Sequence, residues 1–337
     1  MAHTIRWGIL GTGAIARKFA AGLAHSPGAR LEAVGSRTTE AAEAFGNEFG
    51  VPRRHGSYEA LAEDPDVDVV YVSTPHHCHH PNTLLCLNAG KAVLCEKPFA
   101  LNARQAREMV ETARARRLFL MEAMWTRFLP AMGKVRELIA AGAIGEPRML
   151  QADFGFRADF DPRSRLFDPH LGGGGLLDVG IYPLSLSSMV FGQPVSVQGA
   201  AHVGKSHVDE QAAMVLGHAA GELSLLACGI RTTTPHEAVI AGTEGRLKVH
   251  APWWRGSVVT LVPEGERTSE NPFSGETERT FEVPYPGNGY QFEADEVARC
   301  LGEGWTESPT MPLDESIALM GTMDTLRGQW GIRYPGE

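Results

Sequence analysis

The chain is poor in cysteine and has no block of positive charge, and each absence narrows the class of protein. Its 337 residues include five cysteines, an odd number with no C-x-x-C pair. Such cysteines argue against a disulfide framework and predict reduced, mostly buried thiols in a cytoplasmic protein. The net charge is −9, without a lysine or arginine run, which argues against a nucleic-acid or anionic membrane surface.

The sequence also lacks the patterns of a membrane or secreted protein. No apolar stretch approaches the roughly 20 residues that span a bilayer, and the first residues lack the basic-then-apolar layout of a signal peptide. We therefore expect neither a membrane partner nor secretion. Hydrophobic residues make up 43% of the chain, enough for about two buried cores.

A glycine-rich turn follows the first apolar run, Ile5–Leu10. Its pattern is G-x-G-x-x-A over residues 11–16, followed by a helix-like segment to about residue 25. In a dinucleotide site Gly11 permits the tight turn, Gly13 lets the backbone approach a pyrophosphate, and Ala16 lets the helix pack closely. The N–H groups at the helix start, including those of Ala14 and Ile15, suit phosphates. Glycine pairs also serve ordinary tight turns, so the pattern needs its context.

The context is a second apolar run, Leu31–Ser36, at the spacing of a βαβ unit. An NAD site usually carries an acid at the end of that strand to bind the ribose 2′-hydroxyl, but here the chain has Ser36 and Arg37. A guanidinium and a hydroxyl suit a 2′-phosphate and predict a preference for NADP. The alternative is that Arg37 is a solvated loop residue.

Strand-like and helix-like segments alternate up to about residue 122. Further strands are predicted near 68–72, 92–95 and 118–121, and helices near 39–49, 57–62, 80–89 and 102–116, with Asn102 as an N-cap. Alternation of this kind predicts an α/β fold with a doubly wound parallel sheet, a Rossmann domain over residues 1–122.

The pattern changes in residues 123–337. A helix near 130–141 and a glycine-rich helix start at 172–190 are followed by strand-like runs, among them 211–217 and 245–249, to about residue 284. Short turns separate these runs, which predicts an α+β domain with an open-faced, largely antiparallel sheet. Helices near 290–300 and 313–328 close the chain, and either domain could receive them. An open sheet face needs a cover, so we expect a homodimer.

Two further motifs carry groups suited to catalysis. Lys97 follows a predicted strand, at the edge where parallel sheets bind ligands, and a lysine beside a nicotinamide can favour an alkoxide or polarise a carbonyl. Asp178 and Tyr182 follow a four-glycine run at helical i, i+4 spacing, so a carboxylate and a phenol could meet one substrate. The alternatives are a surface lysine, a helix-start acid and a packed core aromatic.

These motifs together resemble the Gfo/Idh/MocA oxidoreductases over essentially the whole chain. Further matches resemble the branch of the family that acts on cyclic trans-diols or on aldoses such as D-xylose; these lie at Glu122–Phe128, Gly175–Pro183, Glu307–Pro309 and Met323–Asp324. Many members of the family have His where Tyr182 stands. The resemblance implies a Rossmann domain with an open-sheet domain, NADP as cofactor, and Lys97 in the catalytic group.

Tyr182 is our candidate for the proton carrier. A phenol of pKa about 10 needs a cation that stabilises its anion, so we hypothesise that Tyr182 transfers the hydroxyl proton with help from Lys97, while Asp178 positions the substrate.

The resemblance also implies roles for other residues. Trp125 and Phe154 form aromatic walls of the substrate site, although Phe154 could equally be a core residue, and Arg148 is a weaker polar candidate. Besides the residues of the glycine turn, Ser36 and Arg37, the expected cofactor contacts are Thr74, Pro75, His79, Glu96 and Lys97; a solvent-exposed helix start is the alternative for His79.

The histidine-rich segment His76–His80 invites a metal site, which we reject. Adjacent residues cannot all converge on one ion, and hydride transfer with a nicotinamide needs no zinc here.

The motifs and the resemblance together predict an NADP-dependent oxidoreductase acting on a hydroxyl or carbonyl of a small sugar or cyclic trans-diol. The alternatives are a non-catalytic NADP-sensing regulatory protein on the same fold, which would not need Lys97, Asp178 and Tyr182 together, and a scaffold with a vestigial site.

Overall fold

The computed structural model describes residues 4–265 and 277–337, which divide into two compact units. Unit 1 comprises Met1–Phe128 and Pro286–Met320, and unit 2 comprises Leu129–Tyr285 and Gly321–Glu337. The division predicted at residue 122 differs from these units mainly at the C-terminal end, because the segment 286–320 returns to unit 1.

Unit 1 is built on a parallel sheet with the strand order β3-β2-β1-β4-β5-β6. This order reverses between β1 and β4, and open α/β sheets bind ligands at that point, beyond the carboxyl ends of the strands. The strands are β1 (Ile5–Leu10), β2 (Ala29–Gly35), β3 (Arg53–His55), β4 (Val69–Val72), β5 (Ala92–Glu96) and β6 (Leu120–Ala123). The helices are α1 (Ala14–Leu23), α2 (Thr39–Phe49), α3 (Tyr58–Ala62), α4 (His79–Asn88) and α5 (Ala103–Arg116).

Local signals account for these elements. All residues of β4 and β5 are buried, as expected of central strands covered on both faces. The predicted cap of α5 is confirmed, since Asn102 Oδ1 accepts a hydrogen bond from the Gln105 N–H at 2.9 Å. The predicted Rossmann domain is confirmed, and the short β3 is an addition to the predicted strands.

Unit 2 carries, within the described residues, an eight-stranded sheet of order β14-β13-β12-β11-β7-β10-β9-β8. Its pairs are antiparallel except for β7 with β10. Buried and exposed residues alternate along β9, so one face of the sheet is open, as predicted. The strands are β7 (Pro147–Gly155), β8 (Ser196–Val203), β9 (Asp209–Gly217), β10 (Leu223–Gly229), β11 (Ala238–Gly242), β12 (Gly245–Val249), β13 (Val258–Pro263) and β14 (Arg279–Glu282). The part of the predicted strand run that falls on 266–276 lies outside the described residues.

Among the described residues, the α-helices α6 (Pro130–Ala140) and α7 (Ile181–Phe191) lie wholly in unit 2, and a π-helical turn (Leu176–Gly180) leads into α7. The segment Pro169–Phe191 is long and apolar enough to cross a membrane by length and composition, which corrects the expectation that no stretch approaches that length. However, 78% of its most apolar window is buried in the protein, as in a core helix.

The last helices are α8 (Gln291–Gly302) and α9 (Leu313–Trp330). The helix α8 packs against α1 and β2. Its Asp295 carboxylate accepts a hydrogen bond from the Ser26 hydroxyl at 2.5 Å, and the Asn288 amide just before it donates to the Lys18 carbonyl at 2.8 Å. These contacts explain why the segment 286–320 belongs to unit 1.

The five cysteines are free. Four are buried, as predicted, and Cys78 is half-buried.

Candidate active site

The glycine turn of unit 1 has the form of a phosphate cradle. Gly11 has φ +106°, and a Cβ there would lie 3.1 Å from Ser73 Oγ, so only glycine fits. Around Gly13, in contrast, no atom lies within 4 Å of the position a Cβ would take, which leaves room at the start of α1. Ala14 is exposed and Ile15 half-buried at this start, while Ala16 is fully buried. The cradle therefore fits a pyrophosphate bound by backbone N–H groups.

Ser36 and Arg37 follow β2 at the same edge of the sheet. Ser36 is buried, and its Oγ lies 3.4 Å from Thr12 Oγ1 in the glycine turn. Arg37 is exposed and forms no ion pair with any described residue. Burial raises the pKa of the Tyr58 phenol, and the charge of Arg37 opposes that shift, so the guanidinium lies near Tyr58. An unpaired guanidinium here fits a 2′-phosphate.

His79 is placed differently from either expectation. Its ring is fully buried, so it is no solvent-exposed helix start, with Nε2 2.8 Å from the Thr74 carbonyl oxygen and Nδ1 2.7 Å from that of Pro98. Burial lowers the pKa of His79 to about 4, and the two carbonyls oppose the shift. Both ring nitrogens thus lie against backbone carbonyl oxygens of the same unit. His79 instead joins the loops that follow β4 and β5.

Thr74 and Pro75 follow β4 beside this histidine. The Asn82 amide donates to Thr74 Oγ1 at 3.1 Å, and Pro75 is exposed. Both residues thus stand at the carboxyl edge of the sheet, where a cofactor contact was predicted.

Lys97 is half-buried and directly follows β5, at the same edge. The Lys97–Pro98 peptide is cis, and the Lys97 N–H donates to Glu96 Oε2 at 3.1 Å. Beyond Pro98, the Phe99 N–H donates to Glu122 Oε1 at 3.1 Å, and burial raises the pKa of Glu122 to about 7. The segment 97–99 is therefore held by polar groups at both ends.

Behind Lys97 lies a buried cluster that the sequence did not reveal. The Tyr71 hydroxyl donates a hydrogen bond to Glu96 Oε1. Glu293, from α8, is fully buried, and neither of its carboxyl oxygens has a hydrogen-bond partner among the described residues. Burial, and then the neighbouring Glu96, raise the pKa of Glu293 well above its usual range. Burial and the charge of Glu96 therefore favour the protonated form of Glu293 in this cluster.

Trp125 begins a 3-10 turn (Trp125–Phe128) after β6, and its indole is buried. It stacks on Tyr290, with the ring centroids 4.7 Å apart and an interplanar angle of 14°. The partner comes from the segment just before α8, which no local pattern connects with Trp125. Trp125 thus forms a fixed aromatic surface in unit 1.

In unit 2, Phe154 stands at the carboxyl end of β7 and is brought together with Tyr182. The two ring centroids are 5.2 Å apart, and Phe154 stacks on Trp254 at 3.4 Å. His236 completes the cluster, 5.9 Å from Phe154 and 4.6 Å from Trp254. The consecutive tryptophans 253 and 254 were a visible signal for this cluster, but the sequence does not show which strand they pack against.

Asp178 forms an ion pair that the sequence did not predict. Arg165 Nη1 lies 2.8 Å from Asp178 Oδ1; the carboxylate is buried and the guanidinium is more than half exposed. Arg165 belongs to the long loop between β7 and the glycine run, where no pattern distinguishes it from its neighbours. The segment that carries Asp178 is a π-helical turn rather than the predicted α-helix start, and such turns are frequent at functional sites.

Arg148 is not brought together with these residues. It lies near the start of β7, six residues before Phe154, a separation of roughly 20 Å along a strand. Its guanidinium is exposed, contacts the Glu146 carboxylate and donates to the Ala220 carbonyl at 3.2 Å. The extended strand therefore separates Arg148 from Phe154, and the structure does not bring these two predicted substrate contacts together.

The histidine segment points in several directions. His77 Nε2 lies 3.1 Å from Cys78 Sγ, whereas His80 Nε2 lies 3.0 Å from a Glu108 oxygen. Within residues 4–265 and 277–337, no group of three or more His, Cys, Asp or Glu side chains is arranged to hold a metal ion.

Comparisons with known proteins agree with this arrangement. The sequence profile of the oxidoreductase family with an NAD-binding Rossmann fold matches residues 5–124, and that of the GFO/IDH/MocA C-terminal domain matches residues 132–248. The chain is 38% identical over 345 residues to the trans-1,2-dihydrobenzene-1,2-diol dehydrogenase of Mus musculus, covering 99% of each protein.

Solved structures share the whole architecture. A 3-ketoreductase from Actinomadura kijaniata, in complex with NADP and TDP-benzene, has a TM-score of 0.82 at 27% identity and covers 96% of this chain and 97% of that one. Levoglucosan dehydrogenase, in complex with NADH and levoglucosan, has a TM-score of 0.86 at 19% identity over 97% of both chains. At this identity the likeness supports the fold of the chain and not its function. With both family domains matched in order and a full-length relative at 38% identity, the chain belongs to the Gfo/Idh/MocA oxidoreductase family and is an enzyme acting on CH–OH groups.

Proposed function

We propose that the protein is an NADP-dependent dehydrogenase that transfers a hydride between the nicotinamide and a CH–OH group of a cyclic trans-diol. The observation that carries the proposal is the contact between Tyr182 and the aromatic pair of Phe154 and Trp254, with 5.2 Å between the Tyr182 and Phe154 rings. A flat apolar wall beside a hydroxyl that can carry a proton suits a cyclic, weakly polar substrate. The 38% identity to a dihydrodiol dehydrogenase supports the same class.

NADP rather than NAD is proposed because of the groups that follow β2. The exposed guanidinium of Arg37 has no ion-pair partner in the described part of the chain, and the Ser36 hydroxyl lies beside the glycine turn. A 2′-phosphate would receive charge-assisted hydrogen bonds from the first and a further donor from the second. When bound, the cofactor accepts the hydride from the carbinol carbon.

The proton is assigned to Tyr182. As the alcohol is oxidised, its O–H proton passes to the Tyr182 phenolate oxygen; in the reverse direction the Tyr182 hydroxyl returns it to the carbonyl oxygen. A free phenol has a pKa of about 10, so its anion needs a neighbouring cation, and we assign that role to Lys97.

Asp178 is assigned to binding rather than to proton transfer. Its ion pair with Arg165 at 2.8 Å favours the ionised carboxylate, which only accepts hydrogen bonds. A substrate hydroxyl would therefore donate to Asp178. The aromatic groups Phe154 and Trp254 of the same unit would limit the water around such a bond.

A small aldose such as D-xylose is the second candidate substrate. The ion pair of Asp178 and Arg165 favours it, because the pair presents both acceptors and donors and a sugar ring carries several hydroxyls. Sugar rings also stack on aromatic faces, so Phe154 and Trp254 fit either class.

The test is the formation of reduced nicotinamide, followed by near-ultraviolet absorbance. NADP and, separately, NAD are combined with cyclic trans-diols, aldoses including D-xylose, and inositols. Turnover of trans-diols with NADP is the expected result. Turnover of aldoses alone would establish the second candidate. Tight NADPH binding without turnover in either direction would contradict the proposed enzyme and favour an NADP-sensing role.

We also propose that the protein is a homodimer that closes the open face of the unit 2 sheet. Met149, Leu223, Leu225 and Val215 lie on adjacent strands of this face, and Val215 is 44% exposed. An apolar strip of this kind suits an isologous contact between two copies. Sedimentation velocity at micromolar concentration is expected to show a dimer, and a monomer alone would overturn the proposal.

The proposed compartment is the cytoplasm, because the five cysteines are free and four are buried. A fusion to a fluorescent protein, imaged in cells of the source organism, tests the assignment; exclusion from the cytoplasm would contradict it.

A further inference from the structure

The glycine run that precedes Asp178 packs against a buried acid, Asp209. Gly174 has φ +112°, and a Cβ on it would overlap Asp209 Oδ1. A Cβ on Gly173 would lie 2.8 Å from the Leu166 carbonyl oxygen. The run is therefore glycine because two groups from elsewhere in unit 2 pack directly against its backbone.

Asp209, the first residue of β9, caps the π-helical turn. It is fully buried, and its Oδ2 accepts a hydrogen bond from the Leu176 N–H at 2.5 Å. The backbone of the glycine run is in turn bonded to Asp178, whose N–H donates to the Gly174 carbonyl oxygen with 3.4 Å between nitrogen and oxygen. A shift of Asp209 would thus displace the turn from which the Asp178 side chain projects and which leads into Tyr182.

Tyr334 holds the same run through a second contact. Its hydroxyl donates to the Gly173 carbonyl at 2.6 Å, and the residue is buried. The Tyr334 N–H donates to Glu337 Oε2 at 3.0 Å, and the Arg327 guanidinium lies 4.8 Å from the Tyr334 ring centroid while pairing with the Glu337 carboxylate. The last residues of the chain are therefore anchored and make a rigid support for the glycine run.

We propose that Asp209 and Tyr334 form a clamp on Gly173 and Gly174 that positions Asp178 and Tyr182 for the reaction. The proposal rests on the proposed function, because it assigns the clamp to groups that act on the substrate. Both clamp residues belong to unit 2, whereas the proposed cofactor residues belong to unit 1. Loss of the clamp should lower kcat and leave NADPH affinity unchanged, since small displacements of reacting groups are costly in rate.

The test compares two tyrosine-to-phenylalanine variants, each of which loses one hydrogen bond to a backbone carbonyl. Tyr334→Phe removes the donor to Gly173, and Tyr285→Phe is its matched control, because the Tyr285 hydroxyl also donates to a backbone carbonyl, that of Arg255, at 3.1 Å. For Tyr334→Phe we expect kcat at 25 °C to fall about tenfold, the effect of one lost hydrogen bond. NADPH affinity, measured by fluorescence titration, should stay within about twofold.

The role of Asp209 is tested by truncating its side chain and by replacing it conservatively. Asp209→Ala removes the cap, whereas Asp209→Asn keeps an oxygen that can accept from the Leu176 N–H, so only the alanine variant should lose most of kcat. A purely structural role predicts lower thermal stability of Tyr334→Phe and Asp209→Ala with kcat of the folded enzyme unchanged, and that result would overturn the clamp.

Tyr182→Phe, assayed in parallel, separates the two proposals. Normal turnover of Tyr182→Phe would remove the proposed role of Tyr182 and with it the purpose of the clamp. Impaired turnover of Tyr182→Phe, together with a Tyr334→Phe enzyme equal to Tyr285→Phe, would overturn the clamp alone.

Discussion

The two units assemble their candidate site residues in different ways. Unit 1 places them directly after successive parallel strands, with Gly11 after β1, Arg37 after β2, Thr74 after β4 and Lys97 after β5. Unit 2 draws them from the end of β7, a long loop, a π-helical turn and a tryptophan pair before β13. A parallel sheet makes its ligand edge a consequence of topology, whereas an open-faced sheet with long loops depends on side-chain packing.

Two buried acids, one from each unit, differ in how they are bound. Asp64 in unit 1 is enclosed by partners, since Arg53 Nε lies 2.6 Å and His55 Nε2 2.7 Å from its Oδ2. Asp209 in unit 2 has a backbone donor at Oδ2, but its Oδ1 has no hydrogen-bond partner within the residues described. Asp64 therefore adds stability as a carboxylate, whereas Asp209 is kept at a cost in stability beside the candidate catalytic segment.

The largest expected effect tests whether catalysis depends on unit 2. Tyr182→Phe removes the proposed proton carrier, so kcat should fall about 10²- to 10⁴-fold, the usual range for general acid–base groups. NADPH affinity should not change, because the cofactor residues belong to unit 1. Steady-state assays and fluorescence titration measure the two quantities; a variant with weakened NADPH binding and intact kcat would reverse the comparison.

The two buried acids should respond to pH with opposite signs. Burial raises the pKa of Asp209 to about 7 against 3.8 for the unfolded chain, although Arg327 opposes the shift, and Cys228 and Tyr334 also face this carboxyl. From pH 4 to 7 the folded protein keeps a proton that the unfolded chain has released, so stability falls as the pH rises, by at most about 4 kcal/mol. Asp209→Asn should therefore gain stability relative to the parent between pH 5 and 8 in urea unfolding.

Asp64→Asn is the matched control. Burial raises the pKa of Asp64, but Arg53, the Asp66 N–H and His55 outweigh it and lower the pKa to about 2. The resulting stability is present above pH 4 and is lost as the pH falls through 2, so the variant should be less stable by about 2 kcal/mol at neutral pH. The same sign for both variants would show that the two acids do not differ in this way.

A smaller effect tests the cofactor preference of unit 1. Arg37→Ala should reduce the ratio of kcat/KM with NADP to that with NAD by about 10- to 100-fold, the value of a charge-assisted hydrogen bond. Arg107→Ala, which alters an exposed arginine of α5, is the control and should leave the ratio unchanged. An unaltered ratio in Arg37→Ala would remove the assignment of Arg37 to the 2′-phosphate.

The smallest expected effect tests whether a local sequence signal, the Asn102 cap, sets the start of a helix in unit 1. Asn102→Ala deletes the cap of α5 and should reduce the free energy of unfolding by about 1 kcal/mol, while Asn102→Ser should retain most of it. Urea unfolding followed by circular dichroism measures both. Equal stability of the two variants would indicate that packing, rather than the cap, sets the start of α5.

The sequence predicted most of unit 1 and the general form of unit 2. The helices 39–49 and 102–116 and the strand 245–249 were placed within a residue of their observed bounds. The glycine turn and Lys97 lie at the sheet edge, as expected. The sequence did not show the surroundings of two predicted site residues, because these depend on how the chain folds: both ring nitrogens of His79 face backbone carbonyls inside unit 1, and Arg148 lies near the start of β7, away from Phe154.

By itself, the sequence determined the Rossmann unit, its phosphate cradle, the open antiparallel sheet and the identity of the catalytic candidates. Those features depend on short-range spacing, on alternation of apolar residues and on the special backbone of glycine, all of which can be seen locally. Only the tertiary structure decided that Arg165 pairs with Asp178, that Tyr290 stacks on Trp125 and that Asp209 and Tyr334 hold the glycine run. Such contacts depend on how loops, helices and strands pack together, and no local spacing in the chain shows which residues will meet.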